Sequence, residues 1–551
     1  MRVRVLIFHG YLLEGTGSNV YTARLAAALC ALGHDVHVMC QDRHPQRHAF
    51  VDAAGDWDGG RLRVERVQRA ADAAQEGPPA RGSCTVYRPD IGGLLPVYVA
   101  DRYEGVEART FAQCSERELA DYIGANVAAA RELLALARPQ IALANHLVMG
   151  PVILARALGG EVPYAVKVHG SALEYTVKPQ PERFLRYARE GLAGAGGVLV
   201  GSRHTALSLW QAIGDAQLPE RTRLGPPGVD VLTFAPRDPA AARDGVRALA
   251  ARLRGQQASA GGEQAAGGER GAGGEQSAGG EQSAFARDAG AAADALERLD
   301  PERDLLVAYV GKLIVSKGVD LLIAAWPLVL ERAANARLAI VGFGAYRQGL
   351  ERLCAALAAG ELERVRAIAR QGSALEGDSS APRALSHLLA FIDSLEGEQR
   401  RRYLDGARAV SERIVFAGRL EHDELAELLP ACQAAVMPST FPEAFGMVAA
   451  EAAACGAFPV SAAHSGLAEV SDALAAAIPA AAGAWLSFRV DDGAVRALAQ
   501  ALLGWLQADE QLRARTRASL VEAVRERWSW ERVARGVIAA AHGDLDSLPT
   551  C

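Results

Sequence analysis

The stretch AAVMPSTFPEAFGMVAAEAAACGAFPVSA, Ala434 to Ala462, predicts one strand, loop, helix and strand in succession. Its first run is apolar and leads into a proline-containing loop, and the helix is expected to end at Gly456. Both flanking runs are continuously apolar rather than alternating, which is typical of strands covered on both faces of a parallel sheet. This stretch therefore predicts an α/β architecture.

The same rhythm of short apolar runs and longer helical segments occurs on both sides of a break in the chain. It includes VRVLIF, DVHVMC, QIALAN and YAVKVHG before the break, and DLLVAYVG, ARLAIVG and RIVFAG after it. This pattern predicts two doubly wound parallel-sheet, Rossmann-like domains. The predicted divisions are an N-terminal domain at 1–230, a linker with a low-complexity insertion at 231–304, a C-terminal domain at 305–527 with a helical insertion at about 359–412, and a terminal helix and tail at 528–551, expected to pack across the domain interface.

A six-residue unit is written four times within the linker, SAGGEQAAGGERGAGGEQSAGGEQ, Ser259 to Gln282. Its glycine pairs and lack of large apolar side chains cannot offset the entropy lost on ordering. We expect a mobile, solvated loop without a chemical role.

Composition narrows the class of protein further. With 551 residues, of which 50% are hydrophobic and 23% charged, the chain is long enough for several globular domains. Its net charge of −6 argues against nucleic acid as a partner. The eight cysteines are scattered without a C-x-x-C pair, so we expect reduced thiols and no metal site. The first apolar run reads as a buried strand, and no segment reads as a signal peptide or a spanning helix, so a cytoplasmic protein is expected.

Two carboxylates flank the start of the predicted helix in the opening stretch. Glu443 lies in the loop before it, and Glu451 lies near its second turn. The backbone amides of Phe445, Gly446 and Met447 are expected to face the space between them, where the helix N-terminus favours an anion. Gly446 would let a ligand approach the backbone closely.

The two glutamates need different explanations. A carboxylate before a helix N-terminus can be explained by the helix dipole alone, which is sufficient for Glu443. Glu451 lies in an otherwise apolar helix, so it is expected to be buried and to need hydrogen-bond donors. A nucleoside-diphosphate sugar fits this pattern, with its phosphates over the helix N-terminus, a sugar hydroxyl on Glu443 and the ribose hydroxyls on Glu451.

Other candidates follow predicted strands at the edge where open α/β sheets bind ligands. Lys312 and Lys317 lie in one strand-to-helix loop and suit a diphosphate, although a lysine pair can equally be a solvated surface. His169 directly follows a predicted strand and could donate to a sugar hydroxyl or a phosphate oxygen. The alternative for His169 is a capping or core histidine.

Two further segments are ambiguous. HGYLLEGTGSNVYTARLAAAL, His9 to Leu29, combines a glycine-bearing loop with a helix start, which suits an anion or a structural turn. Val20 stands where a dinucleotide fingerprint has its third glycine, which disfavours nicotinamide binding. PERFLRYAREGLAG, Pro181 to Gly194, is a basic amphipathic helix that would suit peripheral contact with an anionic membrane if the acceptor is a lipid, or is a solvated flank.

Taken in order, these motifs resemble the retaining glycosyltransferases with the GT-B fold, specifically glycosyltransferase family 4 (glycosyl transferases group 1). The matching pieces are the early glycine loop, HG at His169, GK…KG, VGFGAYR, VFAGRLEHDELAELLPAC and the E-x7-E motif from Glu443 to Glu451. The resemblance implies two Rossmann-like domains facing across a cleft, with the donor nucleotide in the second and a hydroxyl acceptor in the first.

The resemblance also implies residue roles and a mechanism. Glu443 would contact hydroxyls of the donor sugar, Glu451 the ribose, and Lys312 and Lys317 the diphosphate. Arg419 would lie near the base, His169 near the transferred sugar, and Gly17 near the phosphates. The family transfers sugar with retention of configuration, commonly described as front-face attack assisted by the departing phosphate, and requires no metal or other cofactor.

The expected function is transfer of a hexose from a nucleotide sugar to a glycan, lipid or small-molecule hydroxyl, in the cytoplasm or at the inner face of the membrane. Three positions depart from the family pattern: Lys312 replaces a usual arginine, Ala444 a common proline, and Phe343 a frequent aspartate. An inactive GT-B protein that binds nucleotide or glycan, and a nucleotide-sugar epimerase or phosphorylase on the same fold, remain alternatives. A two-carboxylate glycosidase is disfavoured because both acids would have to converge on one anomeric centre.

Overall fold

The computed structural model of the chain describes residues 2–14, 17–58, 60–67, 81–98, 107–266, 287–377 and 382–551. Contacts divide the chain into two compact units, one formed by Met1–Gly228 with Trp528–Cys551 and the other by Val229–Arg527. Each unit is a largely parallel sheet flanked by helices. The α/β class and the two Rossmann-like units expected from the sequence are confirmed. The finer domain boundaries stay predictions.

The first unit is built on a nine-stranded sheet. Its strands are β1 (Arg4–Phe8), β2 (Asp35–Met39), β3 (Ala53–Asp58), β4 (Arg61–Arg66), β5 (Cys84–Arg88), β8 (Ile141–Asn145), β9 (Tyr164–Val168), β10 (Gly197–Val200) and β11 (Thr222–Leu224), while β6 (Leu94–Val97) and β7 (Glu107–Thr110) form a separate parallel pair. The spatial order is β11-β10-β9-β8-β1-β2-β5-β3-β4, and within the described residues only β3 and β4 pair antiparallel.

The helices of the first unit cover both faces of this sheet. They are α1 (Gly17–Ala31), α2 (Glu116–Ala137), α3 (Gly150–Leu158), α4 (Pro181–Ala193), α5 (Arg203–Ile213), α6 (Leu218–Arg221) and, from the end of the chain, α21 (Trp530–His542). Alternate residues of β1 show why its sequence is continuously apolar: Leu6 and Phe8 lie in one hydrophobic cluster, and Val5 and Ile7 lie in another. Side chains of a strand point to opposite faces, so burial of both faces requires an apolar residue at every position.

The second unit is built on a six-stranded sheet in which every described pair is parallel. Its strands are β12 (Leu305–Val310), β13 (Ala336–Val341), β14 (Ile414–Gly418), β15 (Ala434–Met437), β16 (Phe458–Ala462) and β17 (Ser487–Phe488), in the order β14-β13-β12-β15-β16-β17. β12 and β15 are neighbours although they are far apart in sequence. Their loops are therefore brought together at one edge of the sheet.

The helices of the second unit precede, connect and follow these strands. They are α7 (Pro239–Ala266), α8 (Ala289–Glu297), α9 (Val319–Arg332), α10 (Arg347–Ala358), α11 (Leu362–Gln371), α12 (Ser386–Asp393), α13 (Gly397–Ala407), α14 (Val410–Arg413), α15 (His422–Leu428), α16 (Met447–Ala454), α17 (Ser465–Ala475), α18 (Ala480–Gly483), α19 (Ala494–Leu506) and α20 (Glu510–Trp528). In the core, Phe458 of β16 stacks on Trp505 of α19 with ring centroids 4.3 Å apart.

The structure departs from the sequence-based expectation in the low-complexity segment. Residues 259–266 continue α7, where the sequence predicted a loop from residue 259 onward. The first repeat unit follows a helix that is already nucleated, and its alanine, glutamine and glutamate residues have favourable helix propensities. The rest of the repeat, up to residue 282, lies outside the described residues.

The terminal helix and the helical insertion can both be located. α21 packs against α1, β8, β9 and β10 of the first unit, where its Ala534, Val537 and Ala540 are buried. Its predicted packing across a domain interface stays a prediction. The segment predicted as an insertion, about 359–412, holds α11 to α13 and most of α14 between β13 and β14.

Candidate functional site

The candidate residues of the second unit lie where its parallel strands end. Residues 311–318 follow β12, residues 438–446 follow β15, and His464 lies between β16 and α17. These three strands are neighbours in the sheet and run in one direction, so their carboxyl ends meet at one edge. This is the edge at which open α/β sheets bind ligands.

The side chains of Lys317 and Glu443 form an ion pair across this edge. Lys317 Nζ donates to Glu443 Oε1, and Ser439 Oγ donates to the same oxygen. The two charged side chains are 29% and 24% exposed, so the pair is partly shielded from water. Both donors found among the described residues act on Oε1, and none of those residues donates to Oε2, which is left for another donor.

The backbone of Glu443 is held by the start of α17. Its N–H donates to Ser465 Oγ at 2.8 Å, and its carbonyl accepts from the Gly466 N–H at 2.9 Å. Ser465 adopts a φ of +53°, an uncommon conformation for a residue other than glycine. Such conformations occur preferentially at functional sites.

His464 connects the same two loops. Its Nε2 lies 2.8 Å from the carbonyl oxygen of Ser439, which can only accept, so Nε2 carries a proton. Its Nδ1 lies 3.1 Å from Ser465 Oγ, and in the neutral ring Nδ1 accepts that hydroxyl proton. Ser465 Oγ can then accept from Glu443 N–H, so every polar atom in this chain of contacts has a consistent role.

The predicted helix after Glu443 is present and begins at Met447, with Gly446 as its N-cap. No side chain in the described part of the chain caps the helix, so its first amides remain available to an anion, as expected. A Cβ at residue 446 would lie 3.1 Å from Leu467 Cδ2, so the missing side chain lets this loop pack on α17. Phe445 lies between Glu443 and this N-cap, and its side chain is partly exposed.

Glu451 is buried, as expected from its apolar surroundings, and the chain itself supplies a hydrogen-bond donor. His422 Nε2 lies 2.7 Å from Glu451 Oε1, and the Glu451 side chain is only 5% exposed. The His422 ring packs edge-on against Phe234, with centroids 4.7 Å apart. No described residue donates to Glu451 Oε2, so that oxygen is the one available to a ligand.

Arg419 and Lys312 lie outside this connected group. Arg419 follows β14, pairs with Glu421 at 3.2 Å and places its guanidinium 5.5 Å from the centre of the Phe343 ring. Lys312 is exposed, and its ammonium makes no ion pair within the described part of the chain. The structure therefore joins Lys317 to Glu443 directly and leaves Lys312 at the solvent-facing end of the same loop.

His169 lies in the first unit, in a row of three histidines. His9, His146 and His169 each directly follow one of three adjacent strands, β1, β8 and β9. Neighbouring ring centroids are 5.8 Å and 5.0 Å apart. Burial lowers the pKa of His9 to about 4 and holds the pKa values of His146 and His169 well below the ordinary histidine value, and repulsion from neighbouring basic groups also lowers the pKa values of His146 and His169. All three rings are therefore neutral near pH 7.

His169 is held by Asn145 and Tyr21. Its Nε2 lies 2.9 Å from Asn145 Oδ1, and the edge of the Tyr21 ring packs against it with centroids 4.9 Å apart. Next to it, Lys167 is fully buried, and burial lowers the pKa of its ammonium to about 7. His169 is thus an organised side chain in a basic, desolvated environment rather than a helix cap.

Gly17 and the basic helix can be placed in the same unit. Gly17 opens α1 and faces open space, since nothing lies within 4 Å of a Cβ built on it. Three arginines of α4 are engaged within the unit: Arg183 and Arg186 bond to Glu116, and Arg189 bonds to the Ile213 carbonyl. The predicted peripheral membrane contact gains no support from these arginines and stays a prediction.

Metal centres and membrane spans are two other kinds of site for which the described residues give evidence. No group of three or more histidine, cysteine or carboxylate side chains in the described ranges is arranged to hold a metal ion. None of the helices found there combines the length and apolarity that a bilayer span requires. The assigned ligand roles of the site residues stay predictions.

A cavity of about 480 Å³ in the second unit lies elsewhere. Its lining includes Gln433, Gly456 and Arg517. Gln433 directly precedes β15, and Gly456 lies two residues before β16. It therefore opens at the amino edge of the sheet, opposite the loops that hold Glu443 and Lys317. We place the candidate site at the carboxyl edge, because the side chains suited to the chemistry converge there.

Several residues of this arrangement were not among the sequence-based candidates. They are His422, Ser439, His464 and Ser465 in the second unit, and His9, Asn145 and His146 in the first. His9, His146 and Asn145 lie at strand ends, and the rule that selected His169 could have found them. The hydrogen bond from His422 to Glu451 has no comparable signal, because the two residues are 29 positions apart on different helices.

Two family models match this chain. The model of "Glycosyl transferase 4-like domain" matches residues 16–224, and that of "Glycosyl transferases group 1" matches residues 384–520. An uncharacterized glycosyltransferase of Methanocaldococcus jannaschii is 28% identical over 165 residues, which is 30% of this chain. That match spans 29% of the relative's length.

Solved structures of similar fold extend over nearly the whole chain. Sucrose-phosphate synthase from Thermosynechococcus elongatus is 17% identical, with a TM-score of 0.52 over 99% of this chain and 100% of that one. HepE of Anabaena, solved in complex with UDP-glucose, is 15% identical, with a TM-score of 0.51 over 99% of this chain and 100% of that one. At these identities the likeness concerns the fold. The family models, this fold and the ordered motifs together show that the chain belongs to glycosyltransferase family 4, the group 1 glycosyltransferases, with the GT-B fold.

Proposed function

We propose that this protein transfers a hexose from a nucleoside-diphosphate sugar to a hydroxyl acceptor, with retention of anomeric configuration. The observation that carries the proposal is the connected group Lys317, Glu443, Ser439, His464 and Ser465 at the carboxyl edge of the second sheet. It lies directly before the uncapped N-terminus of α16. The similarity to a HepE structure that contains UDP-glucose supports this class of donor.

The free polar atoms suggest how the donor would be held. Glu443 Oε2 would accept a hydroxyl of the donor sugar, because Lys317 and Ser439 both occupy Oε1. Glu451 Oε2 would accept a ribose hydroxyl while His422 retains Oε1. The first amides of α16, with Lys317 and Lys312, would stabilise the diphosphate. Arg419, beside Phe343, would lie at the base.

Charge stabilisation on the leaving diphosphate is the main requirement of the reaction. The bond between the anomeric carbon and the phosphate oxygen breaks, and its electron pair leaves with the diphosphate. The acceptor oxygen bonds to the anomeric carbon on the same face, and its proton passes to the departing phosphate. Fixed ammonium groups and helix amides stabilise that developing charge, so the proposed reaction uses no metal or cofactor. His169 is assigned to the transferred sugar.

The proposal is tested with a panel of nucleotide sugars and purified variants. We expect transfer or slow hydrolysis with at least one donor, and a loss of about 100-fold or more in Glu443→Gln and in Lys317→Ala. Glu427→Gln is the matched control. Glu427 forms an ion pair with Arg237 in the same unit, and the Arg237 and Glu427 side chains are 29% and 27% exposed, much like Lys317 and Glu443. Equal rates in wild type, Glu443→Gln and Lys317→Ala would contradict the assigned roles.

Binding of UDP, GDP and ADP, followed by thermal shift, separates the alternatives. A diphosphate present at 100 times its dissociation constant stabilises the folded state by about 2.7 kcal/mol. The one of the three nucleotides that gives such a shift identifies the base of the donor. Stabilisation without turnover of any donor would favour a binding protein. Interconversion of the sugar without an acceptor would favour an epimerase, and a requirement for orthophosphate would favour a phosphorylase.

A further inference from the structure

The contact between His169 and Asn145 leads to a property of His169 that distance alone does not reveal. Asn145 ends β8, and His169 directly follows the neighbouring strand β9. The 2.9 Å contact joins His169 Nε2 to the Asn145 amide. An amide offers an oxygen on one side and an NH₂ group on the other, so the orientation of Asn145 decides whether Nε2 donates or accepts.

Thr22 determines that orientation. Its hydroxyl donates to the carbonyl of Ser18 at 2.9 Å, and a hydroxyl has one proton to give. Towards Asn145, 3.0 Å away, Thr22 Oγ1 can therefore only accept, so the amide nitrogen must face Thr22. The amide oxygen then faces His169, and Nε2 must carry the proton.

The other ring nitrogen is left as an acceptor. His169 is neutral, because burial and the neighbouring His146, Lys167 and His9 hold its pKa well below the ordinary value. A neutral ring that is protonated at Nε2 has a lone pair at Nδ1. No described residue hydrogen-bonds to Nδ1, and the residue is only partly buried.

We propose that Asn145 is a positioning residue that holds His169 as the Nε2–H tautomer, so that Nδ1 accepts a hydrogen bond from a hydroxyl of the substrate. This inference rests on the proposed function for the presence of a sugar at His169. It narrows the ligand chemistry, because a hydroxyl can donate to Nδ1 whereas an ionised phosphate oxygen cannot. His169 therefore recognises the hydroxyl-bearing part of the substrate and not its diphosphate.

The tautomer is measured directly by nitrogen-15 NMR of the full-length protein labelled at its 12 histidines. The His169 signals are assigned by their disappearance in His169→Gln. In the wild type without ligand we expect a pyrrole-type shift for Nε2 and a pyridine-type shift for Nδ1. The opposite pattern, or an averaged pair of shifts, would overturn the proposal whether or not the protein is a transferase.

Variants separate the positioning effect from loss of folding. Thr22→Val keeps the shape of a fully buried side chain but removes the acceptor for Asn145, so the amide can flip and the His169 shifts should move towards an average. Thr22→Ser retains the hydroxyl and should retain the wild-type shifts. If Thr22→Val left the shifts unchanged, the proposed role of Thr22 in orienting Asn145 would be wrong.

Activity provides the second readout. Asn145→Leu should lower kcat/KM about tenfold, the loss expected for one hydrogen bond to the substrate. Asn126→Leu is the control, because Asn126 is equally buried but donates to the Tyr122 carbonyl, and it should leave the His169 shifts and the turnover unchanged. If the wild-type shifts are as predicted but neither the wild type nor any variant turns over a donor, the tautomer assignment stands and only the proposed function is contradicted.

Discussion

The carboxylate of Glu451 and the imidazole of His422 join two helices of the second unit through a 2.7 Å hydrogen bond. Glu451 lies in α16 and His422 opens α15, two helices that follow different strands. A buried carboxylate without a donor is costly, so the histidine removes much of that cost. It also leaves the other carboxylate oxygen without a partner among the described residues, so that oxygen is available to a ligand.

Replacement of His422 should destabilise the fold, and the loss should be larger when the new side chain cannot donate a hydrogen bond to Glu451. His422→Leu leaves Glu451 without a described donor and should lower the free energy of unfolding by about 1–3 kcal/mol, as measured in urea. His422→Gln keeps an N–H donor and should cost less. His387→Leu is the control, since His387 contacts the exposed Asp492 at 3.3 Å. Equal losses in His422→Leu and His387→Leu would show that the Glu451 contact contributes little.

Asp320 should make the second unit less stable as pH rises through the acid range. It lies in the first turn of α9, is 3% exposed, and burial raises the pKa of its carboxyl to about 7. The unfolded chain loses this proton near pH 4 while the folded chain keeps it to about pH 7, so the free energy of unfolding falls across that window. Above pH 7 the penalty is complete and amounts to at most about 4 kcal/mol.

Asp320→Asn removes this penalty and should be more stable than wild type above pH 7 but not at pH 4. Asp423→Asn is the matched control, because Asp423 holds the same position in the first turn of α15 and is exposed. It should lose only about 0.5 kcal/mol of helix-dipole stabilisation. A difference between wild type and Asp320→Asn that did not grow between pH 4 and pH 7 would refute the assignment.

Lys167 should produce a second pH effect, in the basic range. Burial lowers the pKa of its ammonium to about 7 from an ordinary 10.5. Below pH 7 both states carry the proton and the folded state bears the full cost of a buried charge. Between about pH 7 and 10.5 the folded state loses that proton while the unfolded state keeps it, so the cost declines.

Lys167→Met should therefore stabilise the protein most at pH 6, and its advantage over wild type should shrink towards pH 10. The comparison uses chemical denaturation of both proteins in each buffer. Lys178→Met, at an exposed lysine paired with Glu174, should show no such trend. A constant difference between Lys167→Met and wild type across that range would mean that Lys167 does not titrate there.

Gly318 should tolerate no side chain. Its φ is +65°, and a Cβ would lie 2.0 Å from the Pro438 carbonyl oxygen in the neighbouring loop. Gly318→Ala should thus combine about 1–2 kcal/mol of backbone strain with a displacement of the loop that leads to Glu443. Gly456→Ala is the control, since its φ is +80° but its nearest contact is 3.8 Å away, so it should show the strain alone. Equal unfolding free energies in the two variants would rule out the clash.

Much of the fold could be predicted because its cause is local. Continuous apolarity in runs such as Val5–Phe8 follows directly from burial of both faces of a strand, and the two sheets are present as expected. The start of the repeat was predicted as a loop, but residues 259–266 continue α7. Composition indicates low apolar content, whereas helix continuation depends on the segment that precedes it.

The site was only partly predictable for a related reason. Glu443, Lys317 and His169 could be selected because each lies beside a strand end, and strand ends can be read from periodicity. Their partners could not be selected in the same way: Ser465 orients Glu443 from 22 positions away, and His422 reaches Glu451 from another helix. Lys312 and Lys317 were expected to act together, but only Lys317 joins the connected group.

The sequence by itself determined the α/β class, the two Rossmann-like units and the residues at the ends of their strands, because alternation, apolarity and turn residues act over a few neighbouring positions. Only the tertiary structure decided which oxygen of each glutamate is occupied, which ring nitrogen of His169 bears the proton, and which lysine pairs with Glu443. Those properties depend on hydrogen bonds between segments that the sheet order brings together, and a hydrogen bond exists only when its donor and acceptor lie within about 3 Å of each other.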